Sequence, residues 1–146
     1  MKAGVNVALG TDGVASNNNL NMLGEMQTMA LLHKGIAQDP TLLSPGEAID
    51  IATRAGAVSQ GRPDCGQIRR GNRADLVLLD TSAPHWHPVH DLLNNLVYAS
   101  DGSDVCMTMV DGRVLYENGE FPQMDMERVY REVESSRLRI LGELGN

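Results

Sequence analysis

Residues 5–19, VNVALGTDGVASNNN, combine three signals in one short segment. Val5, Val7 and Leu9 alternate with Asn6 and Ala8, which predicts a short, largely buried strand. Gly10 and Gly13 bracket Thr11-Asp12 and end that strand in a tight turn. Ser16, Asn17, Asn18 and Asn19 then lead into a helix. An acid just past a strand sits at the strand's carboxyl end, where α/β proteins place their chemistry. Asp12 is therefore a candidate metal ligand or general base. The plainer alternative is a turn residue or helix cap. Two nucleotide-binding patterns are absent. Gly10 and Gly13 are the only glycines of the turn, so there is no G-x-G-x-x-G, and there is no G-K-[ST].

The chain has 146 residues, enough for one core, and a formal charge of -7. Without a basic stripe, nucleic acid is not an expected partner. No apolar run approaches eighteen residues and the start is not signal-like, so neither membrane insertion nor secretion is expected, and the location reads as cytoplasmic. Cys65 and Cys106 form no CxxC pair and read as free thiols of a reducing compartment. With one Phe, one Trp and three Tyr, the core must be built from aliphatic residues and the eight Met.

A helix is predicted over 20–37, where Met22, Leu23, Met26, Met29, Ala30 and His33 share one face, capped by an asparagine of the 17–19 run. Ser44-Pro45-Gly46-Glu47 is a capping box that opens a helix to about residue 60. A loop follows, with a short strand at 67–69. Arg69, Arg70 and Arg73 read as a solvated turn. Residues 74–79 predict a buried strand. His85, His87 and His90 in PHWHPVHD have a spacing unlike structural zinc sites. A short helix is expected over 91–99, with Leu92, Leu93, Leu96 and Val97 buried. Asp111-Gly112 between two strand-like runs is a hairpin signal, with strands at 105–110 and 113–116. A last helix, 125–144, carries an apolar stripe interrupted near Ser136-Arg137.

Four stretches together carry a resemblance: LGTDGVASNNNLNMLGEM at 9–26, SPGEAIDIATRAGA at 44–57, CGQIRRGNRADLVLLD at 65–80, and PVHDLLNNLVYASDGSDVCMTMVDGRVLYENGE at 88–120. They resemble the amidohydrolase superfamily, and within it the branch of 5-methylthioadenosine/S-adenosylhomocysteine deaminases and triazine chlorohydrolases. The fold class this implies is α/β, the carboxyl-terminal part of a metal-dependent (β/α)8-barrel hydrolase. Residues 1–60 would hold the last barrel strand and following helices. Residues 61–122 would supply strands of an accessory β-sandwich with a connecting loop and helix, and 123–146 the terminal helix. Such barrels run to about 250 residues. That size is before any additions, and this chain supplies only the Asp-bearing end, so it reads as the carboxyl-terminal third of an enzyme, with Met1 an artificial or mis-assigned start, or with the gene split.

The resemblance also implies the chemistry. One divalent metal, zinc or alternatively iron, would be held by histidines of earlier strands and by Asp12. None of His33, His85, His87 and His90 lies in such a strand-end context, so this chain alone is expected to bind no metal. Asp12 would accept a proton from a metal-bound water as it attacks an electron-poor ring carbon of an adenine-type or related heterocyclic amine, and ammonia would leave. Chloride leaves in the chlorohydrolase alternative. Ser16 matches a substrate-contacting position, and Asn17 either shares that role or caps the helix. Two further readings stand beside this one: a split subunit that completes its site with another chain, and a non-catalytic domain working through interfaces. Either a homo-oligomer or a missing amino-terminal barrel portion is the expected partner.

Overall fold

The computed structural model describes residues 3–145. Met1, the expected irregular start, lies outside them. Helices α1 (Met22–Ala37), α2 (Pro45–Ala52) and α3 (Arg54–Ser59) come first. Strand β1 (Leu76–Leu79) follows, then α4 (Leu92–Tyr98), the hairpin β2 (Val105–Val110) and β3 (Arg113–Glu117), and α5 (Met126–Leu144). Single 3-10 turns precede α4 at Pro84–Trp86 and precede β2 at Gly102–Asp104.

The core is helical. Met26 and Ala30 of α1 meet Leu43, Ala48 and Ile51 of the α2 segment and Val97 of α4. Alanines at the crossing let the helices approach closely, and Met26 and Ile51 fill the space between them. Ser44 and Glu47 form the expected capping box. The predicted single helix to residue 60 is two helices. The chain breaks at Thr53, whose φ of -122° and ψ of -85° lie outside helical values. Of the four residues expected to be buried in α4, Val97 is buried and Leu96 half-buried, whereas Leu92 and Leu93 are exposed. A seven-residue helix turns only one face to α1 and α2.

The sheet is antiparallel, in the order β1-β2-β3. Asp111 and Gly112 both take positive φ, 50° and 77°, as a two-residue turn matched to strand twist requires. The Asp111 N–H donates to the Asp75 carboxylate at 2.7 Å and Gly112 N–H to the Ala74 carbonyl at 3.0 Å, which latches the turn to the start of β1. β1 is shorter than predicted and not buried, because Val77 and Leu78 are exposed. The strand expected at 67–69 does not form. Ile68 is 91% exposed, and the local backbone turns instead, with Asn72 N–H bonded to the Arg69 carbonyl.

Residues 5–9 do not form the predicted strand either. The segment is held from one side only. Leu9 N–H reaches the Ile51 carbonyl at 3.3 Å, and the Asn6 amide reaches the Ala55 carbonyl and the Ser59 hydroxyl at 3.0 and 2.8 Å. Val5 and Val7 are 64% and 44% exposed. A strand exists only when a neighbour completes its ladder, and among the described residues none does. In the same way α5, capped by Asp125, buries no side chain. The chain exposes 10440 Å² in all, where a compact monomer of this mass exposes about 7,300 Å². Exposed apolar side chains on the 5–9 segment, β1 and α5 belong to that surface, as do Leu31, Leu32 and Ile36 of α1.

Candidate active site

Asp12 stands at the end of the extended segment with φ of 60°, a left-handed conformation that aspartate tolerates better than most residues. Its side chain is exposed. One carboxylate oxygen accepts the Gly13 N–H at 2.6 Å, and the other has no hydrogen-bond partner among the described residues. The Gly13 carbonyl accepts the N–H groups of both Ser16 and Asn17, at 2.9 and 3.0 Å, and so closes a tight turn over residues 13–17. Ser16 is exposed, and its hydroxyl makes no hydrogen bond among the described residues.

Asn17 is fully engaged. Its amide donates to the Thr11 carbonyl at 2.9 Å and to the Glu25 carboxylate at 2.8 Å, and its carbonyl oxygen accepts the Asn19 N–H at 3.0 Å. Asn19 in turn accepts the Asn21 N–H, and Asn21 accepts from Leu23 and Gly24. Alternate asparagines thus each satisfy a backbone donor two residues on, and the ladder ends in the helix cap. The cap is Asn21, just beyond the predicted 17–19 run. Glu25 does not stand out from the sequence. Its signal is an acid in the first turn of a helix, four residues after the capping asparagine.

A groove of about 310 Å³ runs beside this loop, lined by Leu9, Gly10, Thr11, Thr53, Gln60 and Arg62 among others. Asp12 and Ser16 are not on its wall, so it is not the cavity that these side chains would serve.

A metal requires more than one carboxylate. No group of three His, Cys, Asp or Glu side chains converges among the described residues, and an open zinc site takes about three protein ligands. The donor set of the described residues does not make a complete metal site by itself. His33 is exposed on α1 rather than turned to the core. His85 Nε2 lies 2.9 and 3.0 Å from the two oxygens of Asp104, where the ring N–H donates to the carboxylate. Asp104 is buried and also accepts the Asp101 N–H at 2.8 Å. Burial pushes the Asp104 carboxyl up, but the Asp101 N–H, the His85 ring and the nearby Trp86 indole outweigh it and hold the carboxyl below the usual range. The Trp86 Nε1–H makes no hydrogen bond of full geometry among the described residues. Burial pushes the Cys65 thiol up, which leaves it a poor nucleophile. Cys65 and Cys106 are both free.

The extended segment ending in an acid, the helical layer and the three-stranded sheet make a small α/β unit. The chain belongs to the amidohydrolase family, whose sequence profile matches residues 1–115. It is 41% identical to the 5-methylthioadenosine/S-adenosylhomocysteine deaminase of Dictyoglomus thermophilum over 97% of this chain and 33% of that protein. Against the deaminase of the same name from Moorella thermoacetica it is 46% identical, over 91% of this chain and 31% of the other. Among solved structures, an adenosine deaminase from Xanthomonas campestris with bound zinc superposes with a TM-score of 0.90 at 38% identity, covering 95% of this chain and 32% of that one. An atrazine chlorohydrolase from Arthrobacter aurescens TC1, complexed with zinc, gives 0.81 at 33% identity, over 92% and 30%. The chain thus spans about a third of the length of the relatives it matches, in agreement with the barrel-end fold class expected from sequence. No helix among the described residues is long and apolar enough to cross a membrane.

Proposed function

We propose that this chain contributes the carboxylate end of a metal-dependent deaminase site acting on an adenine-type nucleoside or a related heterocyclic amine. Asp12 is the catalytic residue and one metal ligand, and Ser16 contacts the substrate. Asn17, expected beside Ser16 as a contact, shapes the loop through its bonds to Thr11 and Glu25. The observation that carries the reading is the exposed Asp12 carboxylate, pinned at one oxygen and open at the other, in a chain whose similar proteins include deaminases.

A bound divalent metal supplies a water of lowered pKa. The open oxygen of Asp12 takes a proton as water adds to the ring carbon, and the pinned oxygen keeps the carboxylate aimed. The exposed Ser16 hydroxyl offers both a donor and an acceptor to the substrate. Histidine ligands and the acid that protonates the ring must come from residues other than those described. The metal would be zinc, with iron as the alternative.

The three-part organisation over 1–60, 61–122 and 123–146 belongs to this reading. So does a partner for the exposed 5–9 segment, sheet and α5, either further barrel sequence or a second copy of the chain. The chain alone does not complete a metal site among its described residues and is expected to be inactive, so the test is a substrate panel on the zinc-loaded full-length polypeptide, the one that carries this sequence together with the histidine ligands. Ammonia release from adenosine, 5-methylthioadenosine or S-adenosylhomocysteine is expected. Chloride release from a chlorotriazine with no ammonia from any aminopurine would move the assignment to the chlorohydrolase branch, to which the second superposition gives weight. Release of neither would overturn the reading.

A further inference from the structure

We propose that Glu25 is a positioning residue for the Asp12 loop, acting through the side chain of Asn17. The inference rests on the reading of Asp12 as the catalytic carboxylate. Asp12 sits at φ 60°, a left-handed conformation that aspartate visits as a single residue and that persists where its surroundings hold it. Two restraints hold it. The Gly13 carbonyl gathers the Ser16 and Asn17 N–H groups inside the turn. The Asn17 amide then closes a ring from residue 17 back to the Thr11 carbonyl, next to Asp12, at 2.9 Å.

That amide has two hydrogens, and the second goes to Glu25 at 2.8 Å. Glu25 is half-buried on the first turn of α1, where a negative charge is favoured by the helix dipole. The bond is charge-assisted and therefore stronger than a neutral one. It fixes the amide plane, and with it the direction of the bond to Thr11. α1 is itself anchored in the core by Met26 and Ala30. Glu25 therefore ties a loop of otherwise exposed residues to the rigid part of the fold. Asp12 and Ser16 both lie within the closed ring, so a loosened clamp moves the proton acceptor and the substrate contact together.

The experiment uses the zinc-loaded polypeptide carrying this sequence, with adenosine or 5-methylthioadenosine as substrate. E25A is expected to lower kcat about ten- to a hundredfold, as loss of positioning does, with a smaller change in KM. E25Q keeps an oxygen acceptor and should recover most of that loss. The N17A/E25A double variant should be no worse than N17A alone, because the two residues act as one unit. Hydrogen exchange over residues 11–19 should be faster in E25A while the melting temperature is retained. Should E25A fail to fold, E25L, which keeps the bulk of the side chain but has no acceptor, is read in its place with the same expectations. Unchanged kcat in E25A, additive effects of N17A and E25A, or unchanged exchange of the loop would each overturn the clamp. D12N separates the two claims. If D12N is inactive while E25A behaves as wild type, only the clamp is wrong. If D12N is fully active, the reading of the site is wrong, and the exchange data alone decide whether Glu25 orders the loop.

Discussion

Replacing Gly66 with alanine strains the chain in two ways that can be sized from the structure. Gly66 has φ of +76°, and a Cβ there would lie 2.8 Å from Arg54 Cα, 2.8 Å from the Thr53 carbonyl oxygen and 2.9 Å from Arg54 N. All three neighbours are backbone atoms at the break between α2 and α3, so none can swing aside. The left-handed conformation contributes about 1–2 kcal/mol and the forced displacement about 1–3 kcal/mol. Together they give about 2–5 kcal/mol, which at this chain length is a fall in Tm of about 5–15 °C. The consequence reaches the site, because α2 and α3 present the Ile51 and Ala55 carbonyls that hold residues 6 and 9. Thermal unfolding followed by circular dichroism checks the figure. Gly35→Ala is the control: it lies inside α1 with no atom within 4 Å of a built Cβ, so it should raise stability by about 0.5–1 kcal/mol. A Gly66→Ala protein that melts within about 2 °C of the parent, less than half the smallest shift expected, would refute the packing argument.

Two other predictions concern the core and the buried acid. Met26→Ala empties the centre of the helical cluster, where Met26 is 3% exposed, and should destabilise by about 2–5 kcal/mol in urea unfolding. Asp104 is held below its ordinary value of 3.8, so ionisation favours the folded state. Its contribution is complete above that value and is lost as pH falls through the lower folded value. The stability gap between the parent and Asp104→Asn should therefore be widest above about pH 4 and narrow on acidification, as measured by unfolding at a series of pH values. A gap that is independent of pH would mean that the groups around Asp104, the Asp101 N–H first and then the His85 ring, do not favour its ionised form.

The parts of the fold that local chemistry dictates are legible in the sequence. The Ser44–Glu47 capping box, the Asp111-Gly112 turn and the Met26-Ala30 face of α1 each need only neighbours within a few residues. The parts that differ depend on distant partners. The alternation Val5-Val7-Leu9 has strand periodicity, but a ladder requires a second strand. The apolar stripe of α5 is real in sequence and stays exposed, because nothing among the described residues covers it. Val77, Leu78, Leu92 and Leu93 have the hydrophobicity of core residues, but hydrophobicity alone does not supply a neighbour to bury them. At the site, Asp12 and Ser16 stand out by residue type and by their place after the extended segment. Asn17 reads as a contact or a helix cap, and in the structure its side chain is bonded to the Thr11 carbonyl, the Glu25 carboxylate and the Asn19 N–H. Its partner Glu25 is not visible in the sequence, because a hydrogen bond between a loop amide and a helical acid eight residues on has no sequence period to announce it.

The most direct test of the central claim is turnover of 5-methylthioadenosine or adenosine by the zinc-loaded polypeptide carrying this sequence, comparing the parent with Asp12→Asn. Asparagine accepts the left-handed backbone at position 12 as readily as aspartate, so the variant should melt like the parent. Without a carboxylate to take the proton, ammonia release should fall by about 10²–10⁴-fold. A folded Asp12→Asn protein that deaminates at the parent rate would contradict the account.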